Sequence, residues 1–81
     1  MEKLINLAKQ KTLNALEEKH KKIFHDIEKV IIREATKGES KVVIDARQYK
    51  EEEKNAIVTA YRLNDFITEY DFSQNEIIIK W

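Results

Sequence analysis

The feature that most constrains this chain is an amphipathic helical pattern that runs without interruption over about residues 2–37. The sequence contains no proline, and its single glycine is Gly38. Apolar residues recur at the three- and four-residue spacing that places them on one side of a helix. Gly38 is expected to end this helix in the left-handed conformation, with Lys37 near the negative end of the helix dipole.

Such a helix is longer than the domain that the chain can build. About 35 residues at 1.5 Å each form a rod of about 50 Å. A compact domain of 81 residues is only about 30 Å across. Either the helix breaks, most readily at Thr12-Leu13-Asn14 where Asn14 can cap a second helix, or the overhanging part packs against another chain. We favour a long helix, straight or bent, whose N-terminal half pairs with a second subunit.

The apolar side of this helix is the predicted surface for self-association. A chain of this length buries only about 60% of its unfolded surface, and without cysteine it cannot form disulfides. A partner chain is then the remaining means of stabilisation. His20 is interpreted as an ordinary residue of the seam, and the alternative is a pH-sensitive position in the subunit interface. The predicted oligomer contacts are Ile5, Leu13, Leu16, His20, Ile23, Phe24 and Ile27.

The rest of the chain, residues 39–81, has the pattern of a small β-α-β-β unit. The last strand is apolar at three successive positions, which favours the middle of the sheet, buried on both faces, and gives the strand order 1-3-2. We therefore predict one α+β domain over residues 1–81, formed by the helix at 1–37 and this unit. Its three-stranded mixed sheet carries the helices on one face. The predicted elements of the unit are a strand, a helix ending near Asn64, and two strands, at 41–46, 49–63, 66–72 and 77–81.

Charge suggests an alternative function. The formal net charge is zero, yet residues 1–38 carry nine basic against six acidic side chains, and residues 39–81 carry six against nine. Cations spaced along a helix face suit a phosphate backbone, so the alternative is a nucleic-acid-binding regulator. Glu18 in the same stripe and the lack of stacking aromatics there favour a solvated polar face instead. The predicted contacts of this alternative are Lys11, Lys19, Lys22, Lys29 and Arg33.

The sequence shows no pattern for catalysis, for a cofactor or for a metal. His20 and His25 are its only histidines, and a spacing of five turns them about 140° apart on a helix. With one glycine and no cysteine, the chain has neither a phosphate-binding loop nor a dinucleotide fingerprint nor a thiol nucleophile. We expect a protein that is not an enzyme, with no catalytic residue, no cofactor and no metal ligand.

The order of elements resembles that of small phage and prophage accessory proteins of Firmicutes. The shared pieces are a charged N-terminal helix, a strand bounded by glycine, a second helix, and two final strands that end in tryptophan. The chain departs from that pattern at Leu63-Asn64-Asp65, where a glycine is expected. The resemblance implies a non-enzymatic accessory role, such as binding a host protein or a defence component, and transfers no functional residue. The matching segments are Gly38, Val42-Val43-Ile44, the helix to Leu63, Phe66 to Phe72, and Ile77-Ile78-Ile79-Lys80-Trp81.

Together these observations predict a small protein that acts by protein–protein binding and self-associates through its long helix, as a dimer or a higher oligomer. No apolar run reaches the roughly 20 residues of a membrane span, and the residues after Met1 do not form the pattern of a signal peptide. We therefore expect a cytoplasmic protein without a membrane partner, in the cytoplasm of a bacterial host if a phage encodes it.

Overall fold

The computed structural model describes residues 2–81, with side chains from Lys3 onward, so Met1 of the predicted helix lies outside the described residues. Within this range the chain forms three helices and three strands, which confirms the predicted α+β class. A short 3-10 turn, Ala46–Gln48, follows the first strand. The elements in chain order are α1 (Glu2–Lys19), α2 (Lys21–Thr36), β1 (Lys41–Asp45), α3 (Glu51–Leu63), β2 (Ile67–Asp71) and β3 (Glu76–Lys80).

The sheet has the predicted order β1-β3-β2. The prediction of a mixed sheet needs correction, because β3 pairs antiparallel with both neighbours. β1 and β2 run in the same direction but never lie side by side, so the crossover between them produces no parallel pairing. The register places Val42 and Thr68 on either side of Ile79 of the central strand.

The helices cover one face of this sheet, as predicted. α2 packs on β1, α3 packs on β2 and β3, and α1 lies against α3 and α2. The core is formed by residues of α2, α3 and the inner face of the sheet, where side chains alternate in and out with the period of two that strands impose. Its fully buried large side chains are Ile27, Ile57, Ile77 and Ile79.

The N-terminal helical segment is divided at His20, between α1 and α2. A straight helix from Glu2 to Thr36 would extend about 52 Å, whereas the longest dimension of the molecule is 37 Å. His20 has φ −120° and ψ 40°, outside the helical region. The bend lets α1 fold against α3, and this removes the overhang from which a second subunit was inferred. The alternative break at Thr12-Leu13-Asn14 is wrong, since those residues lie within α1.

Gly38 ends α2 as the sequence predicts. Its φ is +89°, and the Gly38 N–H donates to the carbonyl of Ala35 at 3.0 Å. The next amide, that of Glu39, donates to the carbonyl of Glu34 at 3.0 Å. These two bonds satisfy carbonyl groups that the end of a helix otherwise leaves without partners.

The end of α3 uses a different residue from the one expected. Asn64 keeps a negative φ of −98°, and Asp65 takes the left-handed conformation with φ +67°. The amide of Phe66 then donates to the carbonyl of Tyr61 at 2.9 Å. Asp65 thus takes the left-handed position that ends α3, and an aspartate tolerates this conformation better than most residues do.

Replacing Gly38 with alanine tests the left-handed helix end. Nothing lies within 4 Å of an added Cβ, so only the backbone conformation opposes the substitution. We expect Gly38→Ala to lower the free energy of unfolding by about 1 kcal/mol, measured by urea denaturation. Lys37→Ala is the matched control, because the exposed Lys37 has a helical φ of −80° and should change stability little. Equal effects of the two substitutions would contradict this assignment.

Candidate interaction surface

Most of the predicted oligomer contacts belong to the molecule's own core. Leu13 and Ile27 are only 8% and 2% exposed, so a second chain cannot reach them. Ile23 and Phe24 are half-buried against the same core. Leu16 is half-buried beside α3. Ile5 differs, because it is exposed together with Leu4 and Leu7 near the start of α1.

His20, also predicted at the interface, is half-buried at the helix break. Its N–H donates to the carbonyl of Leu16 at 3.0 Å, and its carbonyl accepts from Phe24 at 3.1 Å, so the chain stays hydrogen-bonded through the bend. Beside it, the Lys19 ammonium donates to the Glu52 carboxylate of α3. This contact holds the pKa of Glu52 below its usual range, with smaller contributions from His20 and Lys50. An exposed ion pair therefore links the bend to α3.

The five basic residues of the nucleic-acid alternative do not share one straight helix. Lys11 and Lys19 lie on α1, before the bend, and the other three lie on α2, after it. Lys19 is paired with Glu52, and the Nε of Arg33 lies 3.6 Å from a carboxylate oxygen of Glu34. The helical wheel that aligned these cations assumes an unbroken helix, and the bend at His20 separates them into two groups.

An apolar crevice of about 290 Å³ lies between the helices and the start of β2. Burial raises the pKa of the Tyr61 hydroxyl at this crevice, and the nearby carboxylates of Glu28 and Glu17 raise it further. Over residues 3–81, no three carboxylate or imidazole side chains are grouped so that they could hold a metal ion. The residues lining the crevice are Leu13, Glu17, Phe24, Glu28, Ile31, Ala60, Tyr61, Asn64 and Phe66.

The face of the sheet opposite the helices, which we call the open face, is left uncovered by the described elements. Val42 and Ile44 of β1 are buried, whereas Val43 between them is 47% exposed. Ile67 of β2 is 62% exposed. The expectation that β3 is buried on both faces is wrong on this side, because Ile78 points to the open face and is half-buried. The open face therefore combines a regular strand scaffold with exposed apolar side chains.

The strand register orders the side chains of the open face into three rows that run across the strands. The row at one end contains two lysines and an isoleucine, and the row at the other end contains three carboxylates. We call these the basic row, the central row and the acidic row. They consist of Lys41, Lys80 and Ile67, of Val43, Ile78 and Glu69, and of Asp45, Glu76 and Asp71.

Two carboxylates of the acidic row are held in their charged form. The Arg47 guanidinium donates to Asp45 through Nε at 3.0 Å and Nη2 at 2.9 Å, and these bonds hold the pKa of Asp45 below its usual range. Asp71 accepts from the Ser73 hydroxyl at 2.7 Å and from the Gln74 amide at 3.2 Å, which lowers its pKa as well. The acidic row is thus negative at neutral pH.

Sequence reasoning missed the open face as a site. The alternation of β1 indicated that Val43 lies opposite Val42 and Ile44, but only the register shows which residues of the other two strands share its side. Since the register follows from the pairing of all three strands, the rows cannot be derived from any one segment.

Comparisons of the chain with protein-family models, with curated proteins and with solved structures find no match. Among the described helices, none has both the length and the apolar character required to cross a membrane. The function is therefore inferred from the surfaces of this chain alone.

Truncation of Ile27 tests whether the apolar side of α2 packs in the core of the single chain and not against a second subunit. We expect Ile27→Ala to lower the free energy of unfolding by about 3 kcal/mol, because it opens a cavity in the core. The loss should be the same at low and high protein concentration in urea denaturation. Leu4→Ala, at an exposed position of α1, should change stability by less than about 0.5 kcal/mol. A loss for Ile27→Ala that shrinks as protein concentration rises would instead place Ile27 in an oligomer seam.

Proposed function

We propose that this protein is a non-enzymatic binding protein that acts by protein–protein contact through the open face of its sheet. The observation that carries the proposal is the uncovered apolar centre of that face, formed by Val43 and Ile78 beside Ile67. Apolar side chains framed by charged ones are typical of surfaces that bind other proteins. The accessory role that the element order suggests is part of the same proposal.

The physical character of the open face supports binding. Val43, Ile67 and Ile78 are β-branched, so their side chains are stiff and lose little rotamer freedom when a partner covers them. They stand on strands whose backbones are fixed by pairing with β3. A partner therefore meets a surface that needs little ordering, which favours affinity for a given contact area.

The proposal includes self-association, but it moves the contact between subunits from the helices to the open face. The predicted contacts on α1 and α2 are largely used by the core, whereas the open face remains accessible without disturbing the core. A second chain on the open face would cover the side of the sheet that the helices leave exposed. The helices would then lie on the outside of the assembly.

Site-specific photo-crosslinking tests the proposal. A benzoylphenylalanine residue at Ile67 should form at least five times more covalent protein adduct than the same residue at Glu18, an exposed position on α1. Val43→Glu should abolish the Ile67 adduct, because it places a charge in the apolar centre. Its effect on the free energy of unfolding should stay within about 1 kcal/mol, the span of strand propensities, since Val43 is 47% exposed. Equal adduct formation at Ile67 and Glu18 would contradict the proposal.

Heparin chromatography separates this proposal from nucleic-acid binding. Because the bend separates the basic residues of α1 and α2 into two groups, we expect the protein to elute from heparin at low salt. We expect Lys22→Glu to elute at the same salt concentration. Salt-sensitive retention that Lys22→Glu reduces would favour the nucleic-acid regulator instead.

A further inference from the structure

The rows of the open face carry an unusual arrangement of charge. Lys41 lies directly across from Lys80, and Glu76 lies directly between Asp45 and Asp71. Like charges at directly opposed positions of neighbouring strands destabilise a sheet. Only one of these five charges, Asp45, is in a salt bridge among the ion pairs of the described side chains, and its partner is Arg47. Asp45 and Asp71 also accept local hydrogen bonds, from Arg47 and from Ser73 and Gln74. Those bonds do not account for Glu76 between the two aspartates or for Lys41 opposite Lys80, which directs attention to what else the rows could meet.

We propose that the open face binds a second copy of this chain, face to face, about a two-fold axis that lies in the interface and runs across the strands. This inference rests on the proposed function, since it names the partner of the same face. It is carried by the opposite charges of the two end rows and by the two apolar residues of the central row, Val43 and Ile78.

The charge rows select the axis. A two-fold axis that relates two sheets packed face to face lies in the plane between them. If the axis runs along the strands, the basic row of one copy lies over the basic row of the other. If it runs across the strands, the strand directions are reversed between copies, and each basic row lies over an acidic row. Only the second arrangement places opposite charges together at both ends of the interface.

The contacts of this arrangement follow from the register. Each strand lies over its counterpart, so Lys80 meets Glu76 of the second copy and Lys41 meets Asp45 of the second copy. In the central row Val43 and Ile78 pack against the same residues of the other sheet. Packed sheets lie about 10 Å apart with their strands rotated by about 30°, a separation that lysine side chains span. Two ammonium groups at each end face three carboxylates and one guanidinium, so the opposing charges balance.

The size of the face sets the strength of the dimer. Five residues along each strand and three strands across give an area of about 17 Å by 14 Å. This is well below the roughly 800 Å² per partner of a standard interface. Glu69 also meets its own counterpart at the β2 edge, which opposes association. We therefore expect a weak dimer, populated at about 1 mM protein and dissociating on dilution.

A charge exchange on β3 tests the inference by sedimentation equilibrium of the full chain. Lys80→Glu places two acids over each other in the dimer, and Glu76→Lys places two lysines over each other. Each substitution removes a like-charge contact within the monomer's own sheet, so both variants should fold. We expect each variant alone to associate at least tenfold more weakly than the natural sequence. An equimolar mixture of the two variants should recover the natural affinity to within about threefold, because a copy carrying K80E and a copy carrying E76K are complementary at both ends.

The controls make the result specific. Lys29→Glu changes the same charge on the exposed side of α2 and should leave association unchanged. About 1 M salt should weaken both the natural dimer and the mixed dimer. A chain that stays monomeric at about 1 mM overturns the inference. A dimer that persists in both variants also overturns it. A dimer that only Leu4→Glu abolishes overturns it as well, because association would then lie at the start of α1. If the natural chain is monomeric while Ile67 still crosslinks to another protein, the proposed function stands and only the choice of partner fails.

Discussion

The packing of α2 and α3 on one face of the sheet is the contact on which the rest of the structure depends. Ile27 and Ile57 bring the helices onto Ile77 and Ile79, and all four side chains are fully buried. A chain of 81 residues has few large apolar side chains to place, and this cluster uses most of those that point inward. Burial of this kind is the main term that stabilises so small a domain.

The position of α1 follows from the same small number of large apolar side chains. Once α2 and α3 cover the inner face, α1 has two apolar surfaces available: the exposed side of α3 and the open face of the sheet. The bend at His20 directs it to α3, where Leu13 is buried and Lys19 pairs with Glu52. The third helix therefore adds to the layer that already exists, and the open face remains free because of it.

The sequence determined the types and the order of the elements through local patterns. The three-residue apolar run of β3 correctly placed that strand in the centre, and Gly38 correctly ended α2, because both signals are contained in a few neighbouring residues. The bend at His20 has no such signal. No glycine or proline marks it, and the helical wheel keeps its phase through it. Its position depends on the packing of α1 against α3, which is distant in sequence. The rows of the open face depend on the pairing of three strands, which no single segment encodes.

The open face also exposes a conflict between stability and binding. A lysine in place of Glu76 would lie between Asp45 and Asp71, where it would relieve repulsion in the acidic row. The monomer would gain stability from that change, yet the natural residue is a third acid. Sites that depart from what the isolated fold prefers are expected where a surface serves another purpose. On the proposed dimer, the grouped acids and the grouped lysines become complementary, so the feature that weakens the single sheet is the one that specifies how two sheets meet.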